Sequence, residues 1–219
     1  MQGATTFFNC IANWYGNLFL IYGACFGVEL TIDNIAALYF TDQFHLPIAQ
    51  AGIVAGLFGM MNIFARALGG IISDRCAMNA GLKGRVLFLG IVLFLEGIGL
   101  IIFSRMTILP LAIAAMMISG LFVKMANGAT YSVVPFVNKK ALGAVAGIVG
   151  AGGNVGAVLF GFLFRVEGLS YAMALFYLGF FVIFSSFFSL MIKFSLQDEK
   201  ETKQEFDTAY AKRLEPQPV

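Results

Sequence analysis

The chain has 219 residues, 59% of them hydrophobic and 12% charged, with a net charge of +2 and a mean hydropathy of +0.86. A soluble domain carries about 25% charged residues, so roughly half the polar surface needed to face water is missing, and lipid is the natural solvent. The small charge, without basic clusters interleaved with aromatics, excludes a nucleic-acid partner, and three dispersed cysteines (Cys10, Cys25, Cys76) with a single His45 exclude a zinc or histidine-based catalytic centre and require no cofactor.

About 20 apolar residues cross a hydrocarbon core, and six stretches qualify. A short lead, 1–13, shows neither a basic region nor a cleavage signature of a signal peptide. The first span covers 14–40 and stops at TDQFHLP, and the second covers 48–73 and stops at SDRCAMNAGLKGR. The third, 86–104, ends at SRM; the fourth, 107–134, ends before VNKK; the fifth, 141–164, ends at RVEG. The sixth covers 170–192, and a polar tail of mixed charge fills 193–219. Short separators imply antiparallel neighbours. The predicted fold is therefore an all-α membrane protein, a six-transmembrane-helix bundle over 14–192. A membrane β-barrel would show alternating segments of about 10 residues, a pattern this sequence lacks.

Lysine and arginine bias sets the orientation. Arg75, Lys83 and Arg85 lie between spans two and three, Lys139 and Lys140 between four and five, and Lys193 after six. The opposite side holds only Arg105 and Arg165. Both termini are expected in the cytoplasm.

Polar groups within spans are the functional candidates, because each is costly unless it faces a cavity or a partner. They are Glu29, Asp33, Asn62, Arg66, Glu96, Lys124, Asn127 and Asn154. At about 100° per residue, Tyr22, Phe26, Glu29 and Asp33 fall within an arc of about 60°. Gly52, Ala55, Gly59, Asn62, Arg66, Gly70 and Ser73 form a second stripe, and Gly143, Gly147, Gly150, Asn154 and Gly161 a third. Such stripes suit a pore or a tight helix contact. Tyr22 and Arg66 each lie eight residues, about 12 Å, inside the same membrane face. Arg66 has two readings: it binds an anion, or it pairs with an intramembrane acid such as Glu29 or Glu96. Lys124 either lends positive potential to a cavity or snorkels. Gly152-x-x-x-Gly156, on the far side of span five from Asn154, reads as helix packing.

Three ordered motifs carry a resemblance. They are LIYGACFGVELTIDN (Leu20 to Asn34), FARALGGIISDR (Phe64 to Arg75) and GATYSVVPFVNKKALGAVAGIVGAGGNVGA (Gly128 to Ala157). Together they resemble the C-terminal half of the nitrate/nitrite porter family of the major facilitator superfamily, over most of 12–192. AGGNVG, Ala151 to Gly156, is similar to that family's second nitrate signature. The G-x-x-x-D-R of Gly70, Asp74 and Arg75 resembles the superfamily's cytoplasmic loop motif.

The resemblance implies a secondary active carrier working by alternating access, with nitrate or nitrite held between two six-helix halves by one arginine from each. Arg66 matches the arginine of this half; Tyr22 matches a site tyrosine; Gly150, Gly153 and Asn154 match the signature at the cavity. Gly70, Asp74 and Arg75 match the gating latch. Relatives of this kind are proton-coupled and sit in the plasma membrane, and some need a small single-span accessory membrane protein. By position alone, Glu29 or Asp33 is the coupling candidate. A full carrier has about twelve spans, so this chain reads as a half or fragment whose partner is the missing N-terminal half or a second copy.

Two further readings come from other classes: a self-contained six-span homodimeric anion pore, and a non-transporting membrane subunit. A pore reading finds no TVGYG filter here. No nucleophile–base or metal constellation favours an enzyme. With its stripes turned to lipid, the isolated chain is expected to aggregate, dimerise or be degraded.

Overall fold

A computed structural model describes residues 2–137 and 141–192, together with 194, 199, 204 and 208, and side chains from Tyr15 onward. Lys139, Lys140, Lys193 and most of the tail lie outside the described residues, as do the side chains of Cys10 and Trp14.

Every described element is a helix, the form in which a spanning segment satisfies its own backbone without water. They are α1 (Gln2–Phe44), α2 (Ile48–Met60), α3 (Asn62–Ser104), α4 (Leu109–Val137), α5 (Leu142–Leu163) and α6 (Tyr171–Ser189). Helix α1 already runs through the segment expected as a lead. It ends where His45 turns left-handed at φ 55 and the Leu46 amide reaches back to the Phe40 carbonyl, a common helix stop. Pro47, which cannot extend α1, then opens α2 by accepting from the Gln50 and Ala51 amides. Met61 keeps helical dihedrals (φ −59, ψ −20), so α2 runs directly into α3.

Five helical stretches are long and apolar enough to cross a membrane, one of them the continuous Ile48–Ser104. That stretch is folded in two. Gly81 has φ 65 and ψ −155, a conformation open essentially to glycine alone. Around it, Arg85 Nη1 comes within 2.5 Å of Asp74 Oδ1, although eleven residues of straight helix would separate them by about 16 Å. The stretch expected as spans two and three therefore runs as two limbs, 48–80 and 82–104. The expected loop SDRCAMNAGLKGR is instead helical on both sides of a one-residue turn, because one glycine suffices to reverse the chain.

Helix α1 is the central pillar, packing on α2, α4, α5 and α6, while α3 packs on α4 and α6. Leu18, Ile21, Cys25, Val28 and Phe40 of α1 are fully buried. Contacts are closest where glycines meet backbone: Gly69 on Met125, Gly128 on Arg66, Gly97 on Gly179, and Gly152 and Gly156 on Phe19 and Gly23. Lipid supplies no hydrophobic drive between helices, so such close packing replaces it. Gly152-x-x-x-Gly156 is a packing motif, as the sequence indicated. Isoleucines, leucines and phenylalanines such as Ile63, Phe162 and Phe184 cover the outer surface.

Candidate functional site

The polar groups of α1, α3 and α4 converge on one carboxylate. Glu29 Oε1 accepts from Asn62 Nδ2 at 2.7 Å and from Lys124 Nζ at 3.2 Å. Its Oε2 accepts from Arg66 Nη2 at 2.8 Å and from Asn127 Nδ2. Helical spacing makes this possible: Asn62 and Arg66 are four residues apart on α3, and Lys124 and Asn127 three apart on α4, so each pair presents one face. Glu29 is 2% exposed and Lys124 wholly buried, whereas the Arg66 side chain keeps 37% exposure.

Among the groups bonded to Glu29, two cations, Arg66 and Lys124, meet one carboxylate; Asp33, one turn away, lies within electrostatic range of both cations. The Lys124 side chain does not snorkel; its ammonium lies 4.2 Å from the centre of the Phe58 ring. Arg66 takes the acid-paired reading of its two, with Glu29 rather than Glu96, and its side chain stays partly exposed. Its guanidinium lies 5.3 Å from the centre of the Phe26 ring.

Phe26 stacks on Tyr22 at 5.0 Å, and Tyr22 meets Tyr131 edge-on at 5.1 Å. Gly153 makes room for both rings of α1, since a Cβ there would come within 2.8 Å of Tyr22 Cδ1. Gly150 lies beside Tyr131, whose hydroxyl is 3.6 Å from the place of a Cβ. Arg66, Tyr22, Gly150 and Gly153 are thus joined through Phe26 and Tyr131.

Other expected residues make no hydrogen bond or ion pair with this cluster among the described residues. Asn154 is exposed and donates to the Gly150 carbonyl at 3.1 Å, a bond within its own helix. Asp33 is exposed, one turn from Glu29, and has no ion pair among the described residues. Gly143, Gly147 and Gly161 face open space, as do Gly52 and Gly70, whereas Asn62, Arg66 and Ser73 of the second stripe make internal contacts, Ser73 being buried against Ser132 of α4. In the loop motif, Asp74 pairs with Arg85 while Arg75 is exposed. Arg85 is buried and stacks 4.8 Å from the centre of the Phe136 ring, tying the turn to α4.

The sequence singled out neither Tyr131 nor Arg85 as a partner. Their companions lie 109 and 11 residues away, from Tyr22 and Asp74, and no helical periodicity links them. Lys124, Asn62 and Asn127 were visible as misplaced polar groups, but not that all three meet Glu29.

No family model matches the chain. It is 47% identical over 152 residues to High affinity nitrate transporter 2.5 of Arabidopsis thaliana, a match covering 69% of this chain and 30% of the relative. It is 47% identical over 143 residues to Nitrate transporter 2.2 of Chlamydomonas reinhardtii, covering 65% and 28%. It is 37% identical over 144 residues to Nitrate/nitrite transporter NrtP of Picosynechococcus sp., covering 64% and 26%. The chain belongs to the family of the high-affinity nitrate transporters. Its matched part spans under a third of the length of these relatives.

Proposed function

We propose that the chain forms one wall of a nitrate or nitrite carrier, with Arg66 as its anion contact. The observation that carries this reading is the part-exposed Arg66, held by Glu29 beside a second cation, Lys124, and flanked by Phe26. A flat oxyanion fits a planar guanidinium edge-on through two parallel hydrogen bonds. Tyr22, Gly150 and Gly153 shape the aromatic side of the cavity, and Asn154 faces the opposite wall.

The second wall comes from another six-helix half or a second copy of this chain. The uncovered stripes of Gly143, Gly147 and Gly161 and of Gly52 and Gly70 let such a bundle approach closely. Transport is secondary active, by alternating access, with Gly70, Asp74 and Arg75 at the cytoplasmic hinge, both termini in the cytoplasm and the plasma membrane as the site. A small accessory membrane protein is a further partner.

Coupling to protons follows from competition. Nitrate and ionised Glu29 both seek Arg66, so a proton on Glu29 releases the guanidinium and travels with the anion. Asp33, one turn away and exposed, is the second candidate for that role.

Nitrate uptake by cells lacking their own nitrate carriers tests the reading, with the chain expressed beside its R66A and R66K variants. Uptake lost in R66A and severely reduced in R66K is expected, because lysine keeps the charge and loses the planar fork. Uptake equal in all three would remove Arg66 from the site. A chain that reaches the membrane without moving nitrate would show that the second wall must be supplied.

A further inference from the structure

Glu96 plays no part in the cluster around Glu29. It is fully buried on α3, and neither of its carboxyl oxygens has a hydrogen-bond partner among the described residues. Leu89, Leu93, Leu100 and Phe103 are each 2% exposed or less, and at about 100° per residue they share with Glu96 an arc of about 80°. An acid thus sits in the middle of an apolar stripe. From Arg85, at the level of the Asp74 contact, Glu96 is eleven residues further in, about 16 Å.

The stripe lies between two neighbours. Gly99 abuts Ser119 of α4, and Gly97 abuts Gly179 of α6; Glu96 falls between these directions. The ionisable groups around it are few. Helix α1 brings Cys25 and Glu29 near enough to interact electrostatically. Helix α4 brings Lys124, whose ammonium is bonded to Glu29. Helix α6 contains no Asp, Glu, Lys, Arg, His or Cys, its ionisable side chains being Tyr171 and Tyr177. On α3 itself, Arg85 pairs with Asp74 and Arg105 stacks on Phe176. Among the described residues no cation is bonded to Glu96, and an ionised carboxylate without donors in an apolar enclosure is strongly disfavoured against the neutral acid.

We propose that Glu96 is a buried proton-binding site, distinct from Glu29, which holds its proton in this conformation and releases it when α3 parts from α4 and α6. Release breaks the carboxyl O–H bond, leaves the electron pair on oxygen and passes the proton to water on the opened side; reloading is the reverse. The contacts that must part are between small residues, Gly90 with Ser189, Gly97 with Gly179 and Gly99 with Ser119. Binding of the proton stands on the geometry of Glu96 itself, whereas its use in transport rests on the carrier reading above.

Infrared spectroscopy of the chain in lipid bilayers tests the proton. A carbonyl band of a protonated carboxyl is expected in the parent, absent in E96Q, retained in E29Q and shifted in frequency in E96D. A band unchanged in both E96Q and E96D would overturn the site. In proteoliposomes that take up nitrate, a gradient of about one pH unit multiplies accumulation up to about tenfold per coupled proton. E96Q should lower the accumulation ratio by about that factor while nitrate counterflow, which moves no net proton, persists. Undiminished accumulation would overturn the role in coupling. A parent that moves no nitrate would count against the carrier reading alone, and the infrared band would still decide the proton.

Discussion

Arg66 and Glu29 meet at 2.8 Å between α3 and α1, and the carboxylate that holds the guanidinium also holds Asn62, Lys124 and Asn127. Stability and the proposed anion contact are therefore tied to the same atoms.

Removing the carboxylate strands a cation. Lys124 is wholly buried and its ion pair is with Glu29, and losing one member of a buried pair costs about 3–5 kcal/mol. Glu29→Ala should lower stability by about that amount, measured by unfolding in detergent. The double variant E29A/K124M should recover more than half of the loss, since the stranded charge goes too. Independent, additive losses would disprove the coupling.

Competition for Arg66 has a defined sign. On the proposed competition, falling pH should protonate Glu29, free the guanidinium and raise nitrate affinity in the parent. Glu29→Gln is neutral at every pH, so its affinity should be flat with pH and close to the parent's low-pH value, about tenfold tighter than at high pH. Nitrate titrations of both proteins across pH decide it, and a pH slope surviving in E29Q would rule out Glu29 as the competitor.

Two glycines of α5 should respond oppositely to one methyl group. At Gly153 a Cβ would press on Tyr22 and Phe26, and overpacking of this kind costs about 1–3 kcal/mol. At Gly147 nothing lies within 4 Å, so alanine there should be neutral or stabilising by up to about 1 kcal/mol through helix propensity. Thermal unfolding of G153A and G147A checks the contrast; equal shifts would mean that the rings do not sit on Gly153.

The turn at Gly81 requires its glycine. With φ 65 and ψ −155, Gly81→Ala should destabilise the chain by about 1–3 kcal/mol, whereas Gly52→Ala, in open space, should not. Unfolding midpoints of the two variants provide the measurement, and an innocuous G81A would mean that the two limbs turn elsewhere.

How much was legible depends on the range of the interaction involved. The all-helical membrane bundle follows from apolar runs long enough for a bilayer, a local property of the chain. The common face of Tyr22, Phe26 and Glu29 also follows from the sequence, because helical spacing fixes it once the helix is granted. The turn between spans two and three was read as a loop of thirteen residues because its charges and glycines mark the membrane surface. Charge marks depth but not secondary structure, and the helix continues on both sides of Gly81.

Partner choice was the part hidden from the sequence. A mid-membrane arginine announces that it needs an anion, and either a nitrate or a carboxylate satisfies that need. Two intramembrane acids stood open to Arg66, and only the packing of α1 against α4 brings Glu29 to it while leaving Glu96 among leucines. The sequence by itself determined the solvent, the helical class and the residues too polar for lipid, since composition and periodicity are summed along one segment. Only the tertiary structure decided which of those residues meet, because contacts such as Glu29–Asn127 join positions 98 residues apart, and their register is set by glycine contacts between helices rather than by any single helix.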